Sequence, residues 1–232
     1  MKRVSAIITA GGQGLRFGGN MPKQFTDLGG MPVLARTLSV FDRMDEITDI
    51  VVTVPKEYIQ TTKKLLHTYH FQKTAQVLAG GDNRQASVYH ALAALDGGTD
   101  IVLIHDGVRP FVSERVIRTV IAEAAKGTAA VAGVKMTDTV KETDAEGFIE
   151  RTVPRERLWS VQTPQGFPYA MILHAHTQAA AENYLGTDDG MLAERFSAAR
   201  IKMVEGDRTN IKITAPEDMR LGAAMIHMEL GI

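Results

Sequence analysis

Apolar runs of strand length, separated by segments of helical period, constrain this chain more than any other feature. The runs fall at residues 4–8, 49–54, 74–78, 100–105 and 129–134, and between most of them lie segments 33–44, 57–69, 84–95 and 113–126, whose apolar residues recur at helical spacing. A strand built of continuous Val, Ile and Leu has both faces buried, so it needs helices above and below it. The pattern therefore predicts an α/β fold, a mainly parallel Rossmann-like sheet with helices on both faces and right-handed crossovers. Ligands of such a sheet collect outside the carboxyl ends of its strands.

The alternation breaks after Val134. Residues 137–157 are polar and dense in charge, with two extended-looking pieces at 139–142 and 148–153 joined by 144–147. This stretch reads as a protruding β-hairpin arm, and an isolated hairpin buries no core of its own, so it is either a mobile excursion or, as we expect, a piece that packs on another subunit. The chain then returns through "LWSVQTPQGF" to a helix after Pro168, a short helix beginning near Asp188, strands at 201–205 and 211–213, and a last helix at 219–230. Thr214, with Pro216 and Glu217 after it, reads as the capping box of that helix. All 232 residues are expected to form one domain around a single core.

Charge and composition narrow the function. Lys plus Arg is 26 against Asp plus Glu 27, a formal net charge of -1, so nothing in the bulk electrostatics asks for nucleic acid or an anionic membrane. A small-molecule partner is expected. The chain has no cysteine, which excludes a disulfide framework, a thiolate nucleophile and a Cys-ligated metal, and fits the reducing cytoplasm. Met1-Lys2-Arg3 followed by "VSAIITA" has the charge order of a secretory leader. Its apolar part is short and runs directly into a glycine-rich loop, so a buried first strand is the simpler expectation.

That loop, "TAGGQGLRFGGNMPKQF", holds five glycines between Gly11 and Gly19. It is neither of the two familiar phosphate loops: the dinucleotide fingerprint needs glycine where Phe17 stands, and the Walker spacing ends in Asn20 rather than Lys. Its glycines still allow close approach of backbone N–H groups, and Arg16 and Lys23 add positive charge, which together suit a polyphosphate. Asp106 follows the fourth apolar run in "HDGVRP", at the carboxyl edge of the sheet. A single carboxylate there is enough for Mg²⁺ bound with a nucleotide, and Arg109 beside it suits a second anionic group. "AGGDNRQASV" repeats the strand, glycine turn and helix design, with Asp82, Asn83, Arg84 and Ser87 at the helix start, where Asp82 or Asn83 is expected to serve as N-cap. His105, at the end of a buried strand, is expected to be a packed, hydrogen-bonded core residue rather than a general base.

With these pieces in order, "AGGQGLRFGGNMPKQF", "AGGDNRQASV", "HDGVRPFV", "DTVKE", "LWSVQTPQGF", "TDD" and "GDRTNIKITAPEDM" closely resemble the successive motifs of the 2-C-methyl-D-erythritol 4-phosphate cytidylyltransferases, over nearly the whole chain. The resemblance implies a single nucleotidyltransferase domain over residues 1–232, with the hairpin arm at about 137–157. It implies transfer of CMP from CTP to that polyol phosphate, with release of pyrophosphate, in isoprenoid biosynthesis by the non-mevalonate pathway. It implies that Arg16, Lys23 and Lys212 face the triphosphate, that Asp106 helps hold Mg²⁺, and that Ala10, Gly11, Gly81, Asp82 and Ser87 recognise cytosine and ribose of CTP. Arg109, Thr163, Thr187 and Asp188 are implied to border the polyol phosphate, with Thr139 and Arg155 reaching across from the arm of the second copy in a homodimer. Two departures, Gly166 after "TPQ" and Gly190-Met191 after "TDD", fall in segments associated with the acceptor.

The chemistry so implied needs no proton-abstracting side chain, because a phosphomonoester with a second pKa of about 6 is already largely ionised near neutral pH. The obstacle is the approach of an anion to a polyanion, which cations answer. Ribitol-5-phosphate cytidylyltransferases share much of the same scaffold and remain an alternative, as does a regulatory protein that binds CTP without turnover. A dinucleotide oxidoreductase is disfavoured by the missing third glycine and by Pro55-Lys56 after the second run.

Overall fold

Each of the five apolar runs forms a strand, and the sheet gains one more strand that the sequence pattern hides. The architecture comes from a computed structural model describing residues 2–12 and 22–230. The elements run β1 (Val4–Thr9), α1 (Val33–Asp42), β2 (Asp49–Val54), α2 (Ile59–Thr68), β3 (Thr74–Ala79), α3 (Arg84–Ala94), β4 (Ile101–Asp106), α4 (Glu114–Ala124) and β5 (Ala129–Lys135). They continue with β6 (Val140–Thr143), β7 (Ile149–Val153), β8 (Trp159–Pro168), α5 (Tyr169–Ala181), α6 (Asp189–Phe196), β9 (Ile201–Glu205) and α7 (Pro216–Leu230).

The main sheet has 7 strands in the order β3-β2-β1-β4-β8-β5-β9. All pairings are parallel except those of β8 with β4 and with β5. The central strands β1, β2 and β4 are buried along their whole length, as continuous apolar runs require. Alternate residues then feed two separate cores. Ile8, Ile50, Val52 and Leu103 pack under α1, α2 and α4 with Leu38, Phe41, Leu65 and Val120. Ile7, Val51, Val102 and Ile104 pack on the other face under α3, α5 and α6 with Leu92, Ile172 and Leu192. The apolar start of the chain is the fully buried β1, as expected for a first strand.

Strand β8 escaped the sequence reading for a physical reason. Its segment carries Pro164, Gly166 and Pro168 among polar residues, a composition that reads as a loop. The sheet accommodates Pro164 at an irregularity: β5 pairs Val131 with Gln165 and Gly133 with Val161, and the register shifts between them. Gly166 then lies between Leu103 of β4 and Ala130 of β5.

The hairpin arm forms as expected from β6 and β7, paired antiparallel as a separate sheet of 2 strands. Asp144 closes its turn by accepting the N–H groups of Glu146 at 3.0 Å and Phe148 at 2.9 Å, and Gly147 takes a φ of 91° that a side chain would strain. Phe148 and Ile149 stand out from it, 68% and 63% exposed.

Two expectations near the carboxyl end are corrected. Residues 211–213 form no strand: the Ile213 N–H donates to Val108 O at 2.8 Å, the Ile211 N–H turns back to Thr209 O at 2.7 Å, and the Ile213 side chain packs with Leu28, Val33 and Ile226, so the segment is held without a ladder. The start of α7 is capped by Asp218 rather than Glu217. The Asp218 carboxylate accepts the Thr214 N–H at 2.7 Å, the Thr214 hydroxyl at 2.8 Å and the Ala215 N–H at 2.8 Å, whereas Glu217 lies 3.7 Å from Arg220.

Gly166 is packed into the core. A Cβ there would overlap Val120 of α4 and lie 3.1 Å from Leu103 Cδ2. Gly166→Ala is therefore expected to destabilise the fold by about 1–3 kcal/mol through overpacking, measured as a lower urea midpoint with an unchanged slope.

Candidate active site

The carboxyl ends of β1, β3 and β4 open into a cleft of ≈ 620 Å³, lined by Ala10–Gly12, Lys23, Gln24, Gly80–Arg84, Ser87, Asp106, Val108 and Lys212 together with Thr9. One wall grows from β1. The Ala10 N–H donates to Thr53 O at 2.8 Å, and the buried Gln24 amide donates to Ala10 O at 2.7 Å, tying the far side of the glycine loop back to the strand. Phe25 stacks on Tyr58 with ring centroids 5.1 Å apart. Lys23, in the same single turn of Lys23–Phe25, is thereby set in the cleft wall by its two anchored neighbours.

The opposite wall is the turn from β3 into α3. Asn83 caps α3 by accepting the Ala86 N–H at 2.8 Å. The Ser87 hydroxyl donates to Asn83 O at 2.9 Å and accepts the Gly81 N–H at 3.0 Å, so one side chain locks the turn. Gly81 must be glycine for this close approach, since a Cβ would fall 2.5 Å from that of Ala86.

The floor is an ionic cluster centred on Asp106, at the end of β4. Arg84 Nε lies 3.1 Å from its Oδ1, and Lys212 Nζ and Arg109 Nε lie 2.9 and 3.4 Å from its Oδ2. Burial pushes this carboxyl up, but Arg84, Lys212 and Arg109 reverse the push and hold it well below the usual carboxylate range. Arg84 bridges onward, its Nη1 2.7 Å from Asp189 Oδ2, and His176 Nε2 lies 3.1 Å from Asp189 Oδ1. The pKa of the buried Asp189 is also lowered: Arg84 and His176 overcome the upward push of burial.

His105 is the core residue expected. It is fully buried, and burial pushes its pKa down to about 4, so the ring is neutral near pH 7. Its Nε2 lies 3.1 Å from the Arg109 carbonyl, which can only accept, so Nε2 carries the proton. Nδ1 is then the acceptor of the Thr163 hydroxyl at 3.0 Å, and Thr163 Oγ1 in turn accepts the Asp106 N–H at 3.1 Å. This chain of bonds fixes the backbone at Asp106 and commits the Thr163 proton. Arg109 is held from the other side, its Nη1 donating to Asn210 O at 2.8 Å.

The fold thus gathers Ala10, Gly11, Lys23, Gly81, Asp82, Ser87, Asp106 and Lys212 on one cleft, with Arg109 and Thr163 packed behind Asp106. Arg16 lies outside the described residues. Thr187 and Asp188 do not line this cleft. They sit at the start of α6, where Asp188 caps the helix by accepting the Met191 N–H at 2.8 Å and takes the Gln165 amide at 2.7 Å, while the Thr187 hydroxyl lies 3.5 Å from Met191 Sδ. Thr139 and Arg155 are exposed on and beside the arm, with Arg155 donating to Thr137 O, and neither lines the cleft of its own chain.

Sequence reasoning did not single out Arg84, Gln24 or Asp189 as parts of this site. Arg84 had a signal: it opens α3, and a cation at the positive end of a helix calls for a compensating partner. Asp189 had only its place in "TDD", and nothing local distinguishes Gln24 from a solvated glutamine.

Comparison with known proteins identifies the family. The family model described as 2-C-methyl-D-erythritol 4-phosphate cytidylyltransferase matches residues 4–228. Proteins of that name from Geobacter metallireducens and Geobacillus kaustophilus are 45% and 43% identical to the chain, over 98% and 95% of its length and 99% and 96% of theirs. The crystal structure of 4-diphosphocytidyl-2C-methyl-D-erythritol synthase from Anaerococcus prevotii superposes with a TM-score of 0.86 at 34% identity, covering 97% of this chain and 96% of that one. That of the cytidylyltransferase from Thermus thermophilus gives 0.79 at 33% identity, with 96% and 98% covered. The chain belongs to the 2-C-methyl-D-erythritol 4-phosphate cytidylyltransferase family.

Proposed function

We propose that the chain transfers the cytidylyl group of CTP to 2-C-methyl-D-erythritol 4-phosphate, and that the cleft between Ala10–Gly12 and Gly80–Ser87 holds the nucleotide. The observation that carries this reading is the convergence of Lys23, Lys212, Arg84 and the ionised Asp106 on one glycine-walled cleft at the carboxyl edge of the sheet. Ala10, Gly11, Gly81, Asp82 and Ser87 recognise cytosine and ribose. Lys23 and Lys212, with Arg16, face the triphosphate. Arg109, Thr163, Thr187 and Asp188 border the acceptor, and Thr139 and Arg155 complete the site of a second copy of the chain through the arm.

The donor chemistry fits Mg²⁺. Asp106 offers a hard, ionised oxygen donor on the cleft floor, and a Mg²⁺ that arrives with a nucleotide needs only one or two carboxylates beside water and phosphate oxygens. Asp106 would hold it, and the ion would neutralise triphosphate charge in the cleft. Among the described residues no three acidic or imidazole groups converge to hold a metal without the nucleotide.

The rest of the work belongs to this chain's own residues. The acceptor phosphate is mostly a dianion near pH 7, so attack of its oxygen on the α-phosphorus needs no base. In-line displacement is then limited by repulsion and alignment, and Lys23 and Lys212 supply positive charge that is already oriented as charge moves toward the leaving pyrophosphate.

Purified protein given CTP, Mg²⁺ and methylerythritol phosphate is expected to release pyrophosphate, and to release little with ribitol 5-phosphate. Turnover with the ribitol ester alone would refute the acceptor, and CTP binding without turnover would favour a regulatory protein. Lys23→Ala is expected to lower kcat roughly 10²–10³-fold, the usual effect of deleting one preorganised donor to developing charge. A raised KM with intact kcat would reduce Lys23 to ground-state binding. Arg155→Ala is expected to raise the acceptor KM and leave CTP affinity by calorimetry unchanged, and the reverse pattern would remove the arm from the acceptor side.

A further inference from the structure

We propose that Asp189 is a positioning residue for the transfer: backed by His176, it holds the Arg84 guanidinium against Asp106 on the floor of the nucleotide cleft. The inference rests on the reading of that cleft as the CTP site and assigns Asp189 a role within it.

Asp189 cannot act on a substrate directly. It is 1% exposed and does not line the cleft. Arg84 does line it, and Arg84 stands where nothing local favours a cation, at the first residue of α3, against the positive end of the helix. What keeps it there is a fork. Nε meets Asp106 Oδ1 at 3.1 Å, and Nη1 meets Asp189 Oδ2 at 2.7 Å, from a part of the chain 105 residues away. A guanidinium with two carboxylates on different edges has its plane fixed, whereas one with a single partner keeps rotational freedom.

Asp189 is itself held from both sides. His176, fully buried, lies with Nε2 3.1 Å from Asp189 Oδ1, and Tyr89 stacks on its ring at 6.2 Å between centroids. Because a carboxylate only accepts, Nε2 bears the proton. The backbone around Asp189 is pinned to β8: the Gln165 amide donates to Asp188 Oδ2 at 2.7 Å, and Gln165 Oε1 accepts the Gly190 N–H at 2.9 Å. The position of Arg84 is therefore referred to the rigid sheet through α6.

Sharing Arg84 between two carboxylates also sets the charge on the floor. If Asp189 lost its charge, Arg84 would either close wholly onto Asp106 or turn toward solvent, its side chain being 30% exposed already. Both moves change the field that the triphosphate meets.

The test is a double-mutant cycle in the full-length protein with Asp189→Asn and Arg84→Met, read as kcat and KM for CTP. Asp189→Asn is expected to lower kcat/KM roughly 10- to 100-fold, within the coupling range of contacting charged residues, and to add less than about twofold once Arg84 is gone. The NMR signal of the Arg84 Nε–H, protected in the parent, is expected to broaden in Asp189→Asn. An equal loss from Asp189→Asn with and without Arg84 would show a general packing role and overturn the proposal, as would no loss at all. If Arg84→Met and Lys23→Ala both turn over like the parent, the cleft itself has been misread, and the failure lies there. Should Asp189→Asn not fold, His176→Leu and His176→Gln carry the test. The glutamine keeps an N–H for Asp189, so the leucine variant is expected to lose several-fold more activity, and equal losses would overturn the proposal.

Discussion

One buried carboxylate organises this molecule. Asp106 ends the central strand β4 with its side chain 8% exposed, and an ion so placed is costly unless it is paired and hydrogen-bonded on every side. The chain meets that demand with one cation from nearby and two from far along the sequence: Arg109 from the turn after β4, Arg84 from α3, and Lys212 from the segment before α7. Each of these elements has to lie where it does for the pairing to close. A cluster that gathers more positive than negative charge on the floor of a cleft contributes little to stability by itself, since an apolar cluster of the same volume would do as well or better. It makes sense as a surface prepared for a polyanion.

The antiparallel strand β8 is the frame for the cluster. Inserted between β4 and β5, it brings Thr163 beside Asp106 and Gln165 beside Asp188, so two nearby residues of one strand fix the cleft floor and the start of α6 together. A wholly parallel sheet would place only loops there, and loops position side chains less closely than strands. Its Pro164, Gly166 and Pro168 are tolerated because the irregularity with β5 takes up the proline and the glycine makes room for Val120.

How much of this is legible in the sequence follows from how local each signal is. Strands β1, β2, β4 and β5 are legible because two-sided burial writes itself as a continuous apolar run, and the arm because its charge density excludes a core. Strand β8 is illegible because its residues obey the sheet around them rather than their own propensities. At 211–213 the error is the converse: "IKI" alternates like a strand, yet a single bond to Val108 and a small cluster around Ile213 satisfy it without a ladder. In the site, Asp106 is legible because it ends a buried apolar run and Lys23 because it follows the glycine loop, whereas Lys212 is legible only through the family motif around it. The Arg84 to Asp189 contact spans 105 residues, and no local pattern records a pairing made only by tertiary structure.

The fate of His105, next to Asp106, bears on how the site works. His105 lies where a general base would be looked for, beside Asp106 and behind Arg109. Yet its Nε2 proton is given to the Arg109 carbonyl and its Nδ1 lone pair to Thr163, and burial keeps the ring neutral. Every atom of it that can exchange a proton is engaged in holding backbone and hydroxyl in place. The same bonds leave Thr163 with no proton to donate, so what it does in this cluster is orient Asp106. A site that uses its histidine for geometry and its cations for charge is built for a reaction in which the nucleophile arrives already deprotonated, and in which the difficulty lies in where charges are allowed to sit.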